Sequence, residues 1–298
     1  MDAQSPAPGA ARALQVALSA WAEGAGRDLP WRRTRDPWAV LVSELMLQQT
    51  QVSRVVTRYE SFLARFPTPA ATAAAPLADV VRAWAGLGYN RRAVNLHRAA
   101  DEVVRHHAGM LPSSLAELVA LPGVGPYTAR AVLAFAFEVD VGVVEVNSAR
   151  VLARAVAGRP LGAGEAQILA DRLVPAGEGW AWNQAMLDLG ATVCTKAAPR
   201  CSVCPLRSCC AWEARSTRPD PAVGSAGCGS RQSTFAGSDR QGRGRLVAAL
   251  RAGPVPLVEI PAVLGWPDQP DRATRVAAGV IADGLAVQTG RVLTLPAR

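Results

Sequence analysis

Four cysteines crowded into one short stretch constrain this chain more than any other feature: Cys194, Cys201, Cys204 and Cys210 follow C-x6-C-x2-C-x5-C within seventeen residues. In a long chain with no signal-peptide-like start, such clustering reads as a metal site, because disulfide frameworks belong to short secreted sequences. A tight loop with this spacing brings four thiolates around one iron–sulfur cluster. Tetrahedral zinc is the alternative, although zinc ribbons usually carry two well-separated C-x2-C knuckles. Cys209 and Cys228 lie outside the pattern and read as free thiols.

The 298 residues, half of them apolar, suffice for a sizeable core in two or more domains. Much alanine and leucine with few aromatics favours a mostly α fold. A net charge of +8 attracts phosphates. No apolar stretch is long enough to span a bilayer, so a cytoplasmic, nucleoid-associated monomer is expected.

Residues 1–12 are Pro/Ala-rich and expected to be disordered. Helical periods follow at about 12–23, from Trp38 to about Phe66, and around Leu77–Ala85, Arg91–His107, Ser114–Ala120, Tyr127–Phe137, 146–157 and 163–174. This organisation predicts a helical domain over 13–190, the cysteine loop over 191–213 and a Gly/Ser/Pro-rich linker over 214–238. In the tail, 239–298, three helices at Asp239–Ala252, Leu257–Leu264 and Asp271–Asp283 precede a hairpin at Leu285–Leu295, an order that suits a small winged-helix-like domain. His97, His106 and His107 read as surface residues. Arg91 and Arg92 read either as phosphate contacts or as a solvated face.

Leu121-Pro122-Gly123-Val124-Gly125 lies between two helical segments, where Gly123 and Gly125 would let backbone N–H groups approach a phosphate. An acidic residue, Glu145, follows some twenty positions later, and the cysteine loop comes after it. With these features, the region from about Leu29 to Trp212 resembles the endonuclease III superfamily of helix-hairpin-helix DNA glycosylases. The resemblance implies two helical lobes, a 4Fe-4S cluster in the cysteine loop, and a target nucleotide flipped out of double-stranded DNA. Flipping is needed because the reacting bond is inaccessible inside a stacked duplex.

Within that superfamily, Ser43-Glu44-Leu45-Met46-Leu47-Gln48-Gln49-Thr50-Gln51 resembles the signature of adenine DNA glycosylases of the MutY type. That resemblance makes Glu44 the general acid that protonates adenine, a role suited to a buried carboxyl group. It assigns Gln49 and Thr50 to the opened duplex, Tyr89 to a wedge at the lesion, and Trp31, Arg32 and Gln184 to the adenine pocket. Tyr127 stands where a lysine would mark a strand-cutting lyase, and a phenol cannot form the required imine. A monofunctional glycosylase is therefore expected, removing adenine mispaired with 8-oxoguanine or guanine. The cluster is expected to order Cys194–Cys210 so that Lys196, Arg200 and Arg207 face the DNA backbone.

The chain departs from the family pattern at three places. Asn90 follows Tyr89 where a second tyrosine is usual, and Glu145 takes the place of an aspartate, with Asn147 retained to orient it. Glu145 keeps the charge that stabilises an oxocarbenium-like sugar but adds a methylene, and a displacement near 1 Å can cost about a hundredfold in rate. The tail is also shorter than the usual 8-oxoguanine-inspecting domain. Two alternatives stay open: a thymine or uracil mismatch glycosylase, and a lesion-binding protein with weakened chemistry.

Overall fold

A computed structural model describes residues 8–212, 219–226 and 234–297. It is mostly α-helical and divides into two compact units, residues 1–35 with 126–231, and 36–125 with 232–298. Among the described residues, no helix is long and apolar enough to cross a membrane.

In the first unit, α1 (Pro8–Ala25) is followed by a 3₁₀ turn (Pro30–Arg32). After the excursion into the other unit come α8 (Pro126–Ala136), α9 (Val146–Val151), α10 (Ala163–Leu173), α11 (Gly179–Thr192) and the cysteine loop. α9 continues as a π-helical turn over Leu152–Ala157. Leu14 and Leu18 of α1 join Val151, Leu152, Leu173, Met186 and Leu189 in one buried core. The chain's first helix is thus packed by segments more than a hundred residues away. Of the N-terminal stretch expected to be disordered, residues 1–7 lie outside the described residues and 8–12 belong to α1. The described part of the linker, 219–226, packs on this unit: Ser225 Oγ accepts from Leu161 N at 3.1 Å, and Asp220 pairs with Arg154 at 2.6 Å.

The second unit contains α2 (Pro37–Leu47), α3 (Val52–Arg65), α4 (Pro69–Ala74), α5 (Leu77–Ala83), α6 (Arg91–His106) and α7 (Leu115–Ala120). Asp36 caps α2 by accepting from Trp38 N, Pro37 fits the first turn, and every residue from Trp38 to Met46 is buried. A helix without a solvent face lies in the middle of its bundle. The continuous period expected from Trp38 to Phe66 is interrupted here: α2 ends at Leu47 and α3 starts at Val52. His97 also differs from expectation, being half-buried with its ring Nε2 2.9 Å from Ala75 O.

The tail belongs to this second unit. α12 (Asp239–Ala252), α13 (Ile260–Leu264) and α14 (Pro270–Ala282) pack against one another and are accompanied by a three-stranded antiparallel sheet. Its strands β1 (Val255–Pro256), β2 (Val287–Thr289) and β3 (Val292–Thr294) run in the order β1-β3-β2, with Val255 opposite Leu293 and Val287 opposite Thr294. Three helices and a hairpin agree with the winged-helix-like order. The two-residue β1 was not legible, being too short to show alternation. Arg251 of α12 fastens the tail to the helices, donating to Val81 O at 2.9 Å and to Asn90 Oδ1 at 2.7 Å.

Candidate active site and cysteine loop

The α2–α3 break and the Gly86–Tyr89 turn are organised by one buried side chain. Arg92, 6% exposed, donates to the carbonyls of Leu45, Met46, Gln48, Leu87, Gly88 and Tyr89, and to Thr50 Oγ1. Carbonyls at a helix C-terminus have no partners within the helix, and a guanidinium is the side chain with enough donors to serve several at once. Burial lowers the Arg92 pKa to about 10, which still leaves it charged at neutral pH. Neither sequence reading of Arg92, phosphate contact or solvated face, survives; its fork is directed inward.

Around this arginine two side chains adopt left-handed backbone conformations, Gln49 at φ 55° and Tyr89 at φ 45°. Such strain costs about 1–3 kcal/mol per residue, and it clusters at functional sites. Hydrogen bonds to a charged donor, at about 1.5–3 kcal/mol each, can hold it in place. Both Gln49 and Tyr89 are exposed, while Thr50 is half-buried and tied to Leu87 O at 3.1 Å. Glu44 lies one turn back on α2, 4% exposed, between fully buried Leu41 and Leu45. Gly123 has φ 79°, and a Cβ there would meet Asn95 Cβ at 2.7 Å, so the hairpin needs glycine at that position. Gln48 Nε2 reaches Gly123 O at 3.4 Å, bringing the hairpin beside the α2 end.

In the first unit, Glu145 is the N-cap of α9. Its Oε1 accepts from Asn147 N at 2.6 Å and Ser148 N at 3.2 Å, and Ser148 Oγ accepts from Glu145 N at 2.9 Å, completing a capping box. Asn147 Nδ2 donates to the other carboxyl oxygen at 3.3 Å. Burial pushes the Glu145 pKa up, and those hydrogen bonds together with Arg150 only partly oppose the shift. The loop before it is fixed by Asn183 of α11, which accepts from Val143 N and donates to Val141 O, both at 2.8 Å. Gly190 lets α11 approach closely, since a Cβ there would meet Asn147 O at 2.6 Å.

Arg32 is engaged in a bidentate pair with Asp188 of α11, at 2.7 Å on each arm, and Arg27 joins the same carboxylate at 2.5 Å. Burial opposes the charge of Asp188, but the two arginines outweigh it and hold the carboxyl below its usual range. This pair anchors the Pro30–Arg32 turn, with buried Trp31, to α11 one turn beyond the buried Gln184. The structure thus brings Trp31, Arg32 and Gln184 into one region of the first unit, with the Arg32 guanidinium committed to holding α11. Tyr127 stands half-buried in the first turn of α8.

The cysteine loop is held by two arginines on successive turns. Arg150 donates to Cys194 O at 2.6 Å, and Arg154 to Thr195 O at 2.7 Å, Lys196 O at 3.1 Å and Cys194 Sγ at 3.6 Å. Cys194, Cys201, Cys204 and Cys210 line one small cavity with Leu206 and Trp212, whereas Cys209 lies outside it. Cys228 lies outside the described residues. Burial raises the thiol pKa values of Cys194, Cys204 and Cys210, the last to about 11. The four cysteines face one small void, although among the described residues no group of three or more His, Cys, Asp or Glu side chains is placed to hold a metal ion. Lys196, Arg200 and Arg207 are exposed, and Arg200 also donates to Thr192 O at 2.5 Å.

Residues 42–175 match the HhH-GPD superfamily of base excision DNA repair proteins. Adenine DNA glycosylase of Mycobacterium tuberculosis (strain CDC 1551 / Oshkosh) is 43% identical over 279 residues, covering 91% of this chain and 90% of the relative. The chain belongs to the adenine DNA glycosylase family. The family's Mycolicibacterium smegmatis member is 41% identical, with 92% of each chain covered. Among solved structures, a thermostable thymine-DNA glycosylase is similar with a TM-score of 0.63 at 26% identity, covering 68% of this chain and 95% of its own. The two mycobacterial glycosylases match over 91% and 92% of this chain, whereas the solved structure covers 68% of it.

Several residues that build this family site escaped the sequence reading. Helix α11 was not foreseen, and with it Asp188 and Asn183. It opens at Gly179 and is buried on nearly every side, so its sequence carries no contrast between an apolar and a polar face for a helical period to show. Arg92, Arg150 and Arg154 were overlooked as anchors. At Arg150 and Arg154 the signal is an arginine inside an apolar run, at a position a solvated charge would avoid, whereas Arg92, next to Arg91, carries no such signal.

Proposed function

We propose that this chain is a monofunctional glycosylase of base excision repair that removes adenine opposite 8-oxoguanine or guanine in double-stranded DNA and leaves an abasic site. The observation that carries this reading is identity above 40% with adenine DNA glycosylases over nine tenths of both chains. Buried Glu44 protonates adenine at N7. The C1′–N9 bond then breaks, with its electron pair leaving on the neutral base. The Glu145 carboxylate, oriented by Asn147, stabilises the sugar cation. Water adds at C1′ and returns its proton to Glu44, restoring the acid.

Trp31 and Gln184 contact the flipped adenine, Gly123 and Gly125 approach a phosphate, and Tyr89, Gln49 and Thr50 fill the opened stack. Tyr127 offers no amine, so the strand is left uncut. Cys194, Cys201, Cys204 and Cys210 would hold a 4Fe-4S cluster, which orders their loop when bound.

The test is a single-turnover assay on duplexes carrying A·8-oxoguanine, A·G, T·G and U·G, with alkali added afterwards. Strand breaks from the adenine duplexes alone, and only after alkali, are expected. Cleavage of T·G or U·G in their place would transfer the reading to a pyrimidine mismatch glycosylase. Tight binding without product would make the chain a lesion binder.

A further inference from the structure

A cleft of about 860 Å³ opens within the second unit, with helical residues on one wall and the tail on the other. The helical wall carries Gln49 and Tyr89, the two left-handed residues of the wedge region, together with Arg54 and Arg91. The tail wall carries Phe235, Arg240, Arg243 and Asp283. Arg240 lies 6.0 Å from the Phe235 ring, and Asp283 is shared by Arg243 and by Arg91, the latter at 3.4 Å.

The charge of this cleft is one-sided. Among the described residues, five arginines line it, counting the inward-facing Arg92, against one aspartate that two of them share. The remaining polar lining includes neutral amides, among them Gln48, Gln51 and Asn95, which hydrogen-bond without demanding a sign of charge. A concave, strongly positive surface beside exposed aromatic and amide groups matches a nucleic-acid backbone, whose phosphates accept from arginine forks while a ring packs on a base. Such focusing by low-dielectric walls makes each cation count for more than on an open surface.

We infer that the tail is a DNA-binding element, and that Arg240 and Arg243 bind backbone phosphates of the duplex next to the wedge residues Gln49 and Tyr89. The inference rests on the proposed function for its choice of duplex DNA as occupant. The tail then secures the strand while the wedge opens the stack, a task that needs no recognition of a particular base.

The test measures the affinity of the full-length protein for an undamaged fluorescein-labelled duplex across a salt series. Arg240→Ala leaves the Arg243–Asp283 pair intact, and thermal melting confirms that the variant is folded. Arg240→Ala is expected to weaken binding several-fold at low salt, and Arg240→Glu more. Each lost phosphate contact lowers the slope of log K against log salt by about 0.9. Arg243→Ala is expected to add a second such decrement, with thermal melting to confirm folding. Arg105→Ala removes an exposed charge fourteen residues along α6 from Arg91, about 21 Å away, and is expected to change neither quantity.

Slopes for Arg240→Ala and Arg240→Glu equal to that of the unaltered chain would overturn the inference, as would an equal loss in Arg105→Ala. Because the duplex carries no lesion, this outcome is independent of whether adenine is excised. If the unaltered chain excises no base yet the arginine variants lose salt-dependent affinity, the functional reading fails and the DNA site stands.

Discussion

Arg150 reaches Asn147 Oδ1 through one nitrogen at 2.7 Å while another nitrogen of the same guanidinium meets Cys194 O at 2.6 Å. One buried side chain therefore joins the partner of Glu145 to the first cysteine of the loop. Changes in the loop have a direct covalent and hydrogen-bonded route to the carboxylate.

Replacing Arg150 by Met should expose that route. It leaves Asn147 Oδ1, Cys194 O and Gly190 O without their donor, and each buried acceptor so stranded costs about 1–3 kcal/mol. Urea unfolding is expected to show a loss of about 3 kcal/mol or more. Excision should fall together with the iron content of the purified protein. Arg150→Met with full iron and full rate would show that the link is dispensable.

Glu44→Gln keeps shape and removes the proton. With general acid catalysis worth about 10²–10⁴, single-turnover excision of adenine should drop by that factor while duplex affinity stays unchanged. Retained excision would remove Glu44 from the mechanism.

The proposed role of Glu145 predicts where the acid limb of the pH–rate profile falls. Burial raises its pKa, so the carboxylate that stabilises the cation is lost at a higher pH than for an ordinary glutamate. The rate should therefore decline, as pH falls, from above about 4.3, the usual glutamate value. Glu145→Asp retains a good N-cap residue and is expected to match or exceed the parent rate, whereas Glu145→Gln should be inactive across the range.

Asp188 is expected to contribute to acid stability. Its folded pKa lies below the usual value, so its contribution is complete above about 3.9 and is lost as pH falls through the lower folded value. Asp188→Asn leaves the buried Arg32 guanidinium without its counter-charge, and breaking a pair of this kind costs about 3–5 kcal/mol. Urea titrations between pH 3 and 7 should show the variant to be less stable near neutrality, with the gap closing towards the acid end.

The motifs of this chain were legible because their chemistry is local. The cysteine spacing, the Gly123–Gly125 hairpin and the Glu44-to-Gln51 run each depend on residues close in sequence. The helix at Ser114–Ala120 and the tail hairpin were legible for the same reason, with Ser114 capping α7 and Gly290 at φ 59° in the hairpin turn. The break between α2 and α3 was passed over because apolar residues resume at Val52 after the polar run Gln48–Gln51, and the backbone there is held by Arg92, more than forty residues downstream.

What the sequence by itself determined, then, is the helical class, the family, the four thiols and the chemical types at each candidate position. Tertiary structure decided how those groups are held. The Glu145 side chain curls onto the start of its own helix, Arg32 is committed to Asp188, and the tail shares a charged cleft with Tyr89. The last two depend on partners brought together by folding rather than by proximity in the chain, whereas the Glu145 cap is made by Asn147 and Ser148, its near neighbours. The reason is physical: a buried charge must find its counterpart wherever the core places it.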